Sequence, residues 1–97
     1  MSSINAVHVS DIDTCVTVTT EIKKGETVVY QASDGSLNSV IAKADVPIYH
    51  KIAVAPVKKD DYALKYGEKI GQALEDIKPG DYVHIHNLKK VGFIEEA

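Results

Sequence analysis

At 97 residues the chain is one domain's worth of protein, and 44% hydrophobic with 26% charged residues is the balance of a folded globular domain, not a disordered tail. Fourteen acids against eleven bases give a net charge of -3, and every base is a lysine, so no arginine fork is available to read phosphates or bases and nucleic-acid binding is not expected. A single cysteine, Cys15, excludes an internal disulfide; the start Met1-Ser2-Ser3-Ile4-Asn5 lacks the basic and apolar regions of a signal peptide, no apolar run nears the ~20 residues of a membrane span, and the cytoplasm is the expected location.

Strand periodicity dominates from the first residues. Ile4, Ala6 and His8 alternate with Asn5, Val7 and Val9, and Asp11-Ile12-Asp13 reads as a turn. Cys15-Val16-Thr17-Val18-Thr19-Thr20 is β-branched and alternating, Lys23-Lys24-Gly25-Glu26 supplies a turn, and Thr27-Val28-Val29-Tyr30 a second strand. Residues 15–31 are therefore expected to form a β-hairpin. After the break at Ser33-Asp34-Gly35-Ser36, the stretch 37–44 suits either a strand or a short helix. Asp45-Val46-Pro47 then forces an extended entry into Ile48-Tyr49-His50.

Lys51-Ile52-Ala53-Val54-Ala55 reads as a strand and 56–61 as a turn or helical turn. Ala63-Leu64-Lys65-Tyr66 is a short strand stopped by Gly67, where a turn needs positive φ, and Gly71 leaves room for a crossing strand. Pro79-Gly80 marks a tight turn, and Tyr82-Val83-His84-Ile85-His86-Asn87-Leu88 is the last strand. Many short strands separated by turn residues predict an all-β chain. The expectation is one domain over 1–97, a small irregular barrel or clip with at most one or two helical turns.

Period-2 geometry on that last strand sends Tyr82, His84 and His86 to one face, with Val83, Ile85 and Asn87 on the other. Imidazoles at i and i+2 stand about 7 Å apart and can converge on one divalent metal, so His84 and His86 are candidate ligands. The same pair also reads as solvent-facing residues of a half-buried edge strand. His50 and His8 are two further imidazoles, but four histidines without a second cysteine do not make a closed zinc site. An open site completed by a partner's residues stands as the alternative. Cys15, inside an alternating strand with no basic neighbour, reads as a buried inert thiol. The glycines at 67 and 71 lack the Lys-Ser/Thr end of a phosphate loop, and no Ser-His-Asp arrangement is visible. The acidic clusters and Lys58-Lys59-Asp60-Asp61 read as solvated turns.

Three stretches carry a resemblance. His50-Lys51-Ile52-Ala53, Lys65-Tyr66-Gly67-Glu68-Lys69-Ile70-Gly71-Gln72-Ala73 and Lys78-Pro79-Gly80-Asp81-Tyr82-Val83-His84-Ile85-His86-Asn87-Leu88 stand in the order and at the spacing of motifs in the altronate and galactarate dehydratase family. They are similar to its small N-terminal domain, a member of the SAF group with a β-clip fold. His8 followed by Asp11, Asp13 and an alternating strand is similar to the family's opening motif. Val9 replaces the usual proline there, Thr14 stands for the asparagine after one extra residue, and Tyr49 sits where glycine commonly precedes the His-Lys pair. The arginine often found after the His-Lys strand is missing, with Pro56-Val57 in that region.

The resemblance implies the small subunit of a sugar-acid dehydratase-like lyase that eliminates water, or sulfite in sulfolactate sulfo-lyase relatives, from a 2-hydroxy acid. A separate large catalytic subunit would be the partner, and the chain alone would be inactive. His84, His86 and His50 are then the expected catalytic residues. Lys51, Asn87 and His8 are the expected substrate contacts, and His84 and His86 the ligands of a divalent iron or manganese shared with the large subunit. Two other readings compete: a non-catalytic SAF binding module for a carbohydrate acid or partner protein, and a purely structural homodimer.

Overall fold

The computed structural model describes residues 4–65, 67–84 and 86–90. Among them are nine strands: β1 (Ala6–Val7), β2 (Cys15–Val18), β3 (Thr27–Gln31), β4 (Leu37–Ile41), β5 (Lys51–Ala53), β6 (Tyr62–Lys65), β7 (Glu68–Ala73), β8 (Tyr82–Val83) and β9 (Leu88–Lys90). No helix occurs among the described residues, so 37–44 resolves to the strand Leu37–Ile41 followed by a bend, and 56–61 to a turn. The readings made for Tyr66 and Ile85, and for the two ends of the chain, lie outside the described residues.

The central sheet has the order β1-β2-β5-β8, all antiparallel, and each face of it carries a hairpin. Alternation along β2 decides which side chain goes where. Val16 and Val18 join Ala6, Ile22, Val28, Ala42, Val46 and Ile52 in one buried cluster, roofed by the β3–β4 hairpin. Cys15 joins Ala53, Val57, Ala73, Ile77 and Val83 in a second, roofed by β6, β7 and β9. Burying an Ile or Val side chain contributes roughly 1.5–3 kcal/mol, so two thin cores share the work of one thick one.

The expected hairpin over 15–31 is not formed. β2 pairs with β1 and β5, while β3 pairs with β4. The cause is an arch at 22–26, in which Ile22 leaves the central sheet to exchange both backbone hydrogen bonds with Val46 at 2.9 and 2.8 Å. That arch belongs to a pattern repeated four times. Turns at Lys23-Lys24-Gly25-Glu26, Pro47-Ile48-Tyr49-His50, Lys58-Lys59-Asp60-Asp61 and Lys78-Pro79-Gly80-Asp81 each close with the fourth amide donating to the first carbonyl at 2.9 to 3.0 Å. The third residue of each has positive φ: Gly25 92°, Tyr49 69°, Asp60 76° and Gly80 95°. Each turn then docks reciprocally on one small buried residue, Ala42, Val18, Ala73 and Ala53 in turn, through amides and carbonyls at 2.8 to 3.0 Å.

The hydrogen bonding therefore duplicates the chain. Ile22↔Val46 in the first half corresponds to Val57↔Ile77 in the second. Asp45 accepts the Lys24 amide at 2.8 Å as Asp76 accepts the Lys59 amide at 2.9 Å. A left-handed position also explains why glycine would be at home where Tyr49 stands. Gly67, with φ of 74°, and Gly71 behave as expected from sequence. A Cβ on Gly71 would lie 2.8 Å from the Lys89 carbonyl oxygen of the crossing strand β9.

Candidate functional site

Two of the four turns aim the histidines. The turn ending at His50 feeds β5 and the turn ending at Asp81 feeds β8. These strands pair with Lys51 opposite Val83 and Ile52 opposite Tyr82, which brings His50 up to the end of β8. Ring centroids lie 5.2 Å apart for His50 and His84, 5.8 Å for His50 and Tyr82, and 5.8 Å for Tyr82 and His86. The Tyr82 and His84 rings stack at 5.4 Å, within 5° of parallel. His50 Nδ1 is 2.7 Å from the Tyr82 hydroxyl. Three imidazoles thus gather around one phenol. His50, Tyr82 and His84 are half-buried, and His86 is exposed.

The gathering does not come from a long alternating strand. β8 ends at Val83, and the amides of Asn87 and Leu88 both donate to the His84 carbonyl, at 3.1 and 3.0 Å, closing a turn before β9. Asn87 causes the break. Its side chain, 2% exposed, accepts the His84 amide at 3.0 Å and donates to the Tyr82 carbonyl at 2.8 Å. It occupies the backbone groups of β8 as a neighbouring strand would. Asn87→Ala strands both backbone groups and is expected to cost about 1–3 kcal/mol in urea unfolding. A loss below about 0.5 kcal/mol would contradict that structural role.

The other expected site residues stand elsewhere. Lys51 is in register with Thr17 and Val83 and so projects to the face opposite His50 and Tyr82. There it lies close enough to Cys15 for its charge to act on the thiol, yet burial prevails and pushes Cys15 up to about 11. A thiol so placed is inert at neutral pH, as the sequence suggests. His8 follows β1, at the opposite edge of the sheet from β8, three strand spacings or about 14 Å away. Its Nε2 donates to the Asp13 carbonyl at 3.0 Å and its ring meets the edge of Tyr30 at 5.2 Å. Asp13, 3% exposed, accepts the amides of Ser10 at 3.2 Å and Gly67 at 2.8 Å, tying this loop to the second hairpin. Asp11 is held below the usual carboxylate range by hydrogen bonds from the Ser33 side chain and backbone.

Tyr82 is the residue that sequence reasoning left without a role. Its signal was present: it shares the alternating positions of His84 and His86. Beside the ring cluster opens a cleft of about 240 Å³, bounded by Lys43, Ala44, Glu75, Asp81, Tyr82, His86 and Asn87. Lys43 Nζ lies 3.8 Å from the Asp81 carboxylate across part of it. The arrangement offers hydrogen-bond donors, acceptors and aromatic faces to a small polar ligand. A catalytic metal takes about three protein donors, and no group of three His, Cys, Asp or Glu is placed to hold one among the described residues.

A central sheet clasped between two hairpins, with arches reversing the chain at each end, is a small β-clip of the SAF kind. The chain belongs to the family of altronate/galactarate dehydratase SAF domains, whose pattern matches residues 4–91. It is 31% identical over 91 residues to the (2R)-sulfolactate sulfo-lyase subunit alpha of Chromohalobacter salexigens, covering 92% of this chain and 96% of that one. The subunit alpha of the same name from Paracoccus pantotrophus is 46% identical over 57 residues, 59% of this chain and 85% of the relative. The altronate dehydratase of Bacillus subtilis is 43% identical over 51 residues, which are 53% of this chain but 10% of that enzyme. The domain is thus related to lyases and dehydratases. None of the described segments is a helix long and apolar enough to cross a membrane.

Proposed function

We propose that this chain is the small subunit of a split lyase that eliminates water, or sulfite, from a 2-hydroxy acid, together with a separate large subunit. One observation carries the reading: a relative named as a subunit alpha is matched along 96% of its length, whereas an altronate dehydratase is matched along 10%. A chain of this size that aligns with a whole subunit and with a small part of a larger enzyme fits a detachable piece of the same machinery.

The chemistry suits what the ring cluster offers. Elimination removes the proton α to the carboxylate, breaks the bond to the β-leaving group and forms a double bond. A departing hydroxyl leaves as water after taking a proton. His50, His84 and His86 surround the Tyr82 ring at the edge of the sheet, where a bound acid can face both subunits. His84 and His86 are the residues proposed to move protons there. A divalent cation at this edge, iron or manganese, would draw most of its ligands from the large subunit.

The test is turnover of hexonates, hexarates and sulfonated 2-hydroxy acids by the chain alone and with its large subunit. The proposal expects no detectable turnover alone and activity on mixing. Robust turnover by the isolated chain would overturn the split-subunit reading. Tight sugar-acid binding by the isolated chain, with no activity on mixing, would favour a non-catalytic binding module.

A further inference from the structure

We infer that Tyr82 is a positioning residue that holds His50 as its Nε2–H tautomer, so that His50 donates a hydrogen bond to the carboxylate of the bound acid. The assignment of the ligand rests on the lyase reading above; the assignment of the tautomer does not. The 2.7 Å contact joins His50 Nδ1 to the Tyr82 hydroxyl. Of these two groups the phenol O–H is the better donor and the imidazole nitrogen the better acceptor, since the ring nitrogen offers a localised lone pair while the phenol oxygen's is drawn into its ring. Tyr82 therefore donates to Nδ1. A neutral imidazole carries one proton, which is then on Nε2.

The surroundings hold this arrangement in place. The His50 amide donates to the Pro47 carbonyl at 3.0 Å and its carbonyl accepts the Val18 amide at 3.0 Å, so the root of the side chain is pinned on both sides. Tyr82 packs against the first core and is stacked on its free side by His84. The nearby Asp81 carboxylate is engaged by the Lys78 amide at 2.8 Å and by Lys43 at 3.8 Å. Histidines that ligate a metal or act as a base commonly donate from their second nitrogen to a carboxylate or carbonyl, which leaves the working nitrogen unprotonated. His50 faces a hydroxyl donor instead. Its second nitrogen therefore carries a proton, and an N–H suits an anionic oxygen, such as the carboxylate every 2-hydroxy acid presents.

Long-range proton–nitrogen correlation on the full chain at pH 8 reads the tautomer directly. The expected result is an unprotonated Nδ1 and a protonated Nε2 for His50, with the preference lost in Tyr82→Phe. A protonated Nδ1, or a Tyr82→Phe spectrum unchanged at His50, would overturn the inference. In the two-subunit enzyme, His50→Gln keeps a donor where Nε2–H stood but no base. It is expected to retain turnover within about tenfold and to raise KM, while His50→Ala loses about a hundredfold in kcat/KM. A glutamine variant as inactive as the alanine one would make His50 a proton carrier and overturn the donor role. If mixing the subunits gives no turnover, the lyase reading falls, and the spectra of the isolated chain still decide the role of Tyr82.

Discussion

Gly80→Ala is expected to destabilise the chain by about 3 kcal/mol or more, because two penalties coincide at one residue. Gly80 sits at φ of 95°, where an L side chain is strained by roughly 1–2 kcal/mol. A Cβ there would also press into the Ile41 carbonyl oxygen and lie 3.2 Å from Lys43 Cγ. The backbone cannot move aside cheaply, since the Gly80 amide donates to Ala53 at 2.8 Å and its carbonyl accepts from Lys43 at 3.0 Å. Gly25 is the control: it has φ of 92° in the first of the four turns, with nothing within 4 Å of its missing Cβ. Gly25→Ala should therefore cost only the backbone strain, about 1–2 kcal/mol. Urea unfolding of the two variants measures the difference. Equal losses would mean that the fourth turn is not packed against 41–43 as described.

Under the proposed split-lyase reading, the largest functional effect is expected from His84→Ala/His86→Ala, assayed together with the large subunit. Removing groups that transfer protons in an elimination costs about 10²–10⁴-fold in rate. The variant should still fold and still bind its partner. Neither imidazole is among the fully buried core residues, and the His84 backbone contacts to Asn87 do not depend on the ring. Size-exclusion chromatography checks assembly, and steady-state kinetics with a hexonate checks rate. Loss of assembly together with rate would instead make the pair an interface feature.

The β class, the turns at Gly67 and Pro79-Gly80, and the buried thiol of Cys15 were all legible in the sequence. Each is set by local chemistry: alternation, residues suited to positive φ, and an apolar strand position. The pairing of strands was not legible. Cys15–Val18 and Thr27–Gln31 look like two arms of a hairpin because the turn residues between them are right. What redirects the chain is the remote bridge between Ile22 and Val46, which no window of adjacent residues contains. The fourfold turn was hidden for a related reason. Its third position holds Gly, Tyr, Asp and Gly, so the repeat lives in backbone conformation rather than in residue type.

The histidine cluster was half legible. Alternation placed Tyr82, His84 and His86 together, and the structure joins them to His50, but through a turn closed by Asn87 instead of a continuous pleat. Lys51 follows His50 in sequence and yet faces away from it, because neighbours along a strand point to opposite sides. His8 resembles the others only as a residue type. Its strand is the far edge of the sheet, and strand order is a tertiary property.

The most direct measurement is purification of the native complex from its own cell, followed by elimination assays on wild type and His84→Ala/His86→Ala. The account predicts that a large dehydratase-type subunit accompanies the chain, that the complex turns over a 2-hydroxy acid, and that the double variant assembles but loses at least about a hundredfold in rate. A chain that purifies alone, with a variant indistinguishable from wild type, would contradict it and leave the histidines as ordinary residues of a binding module.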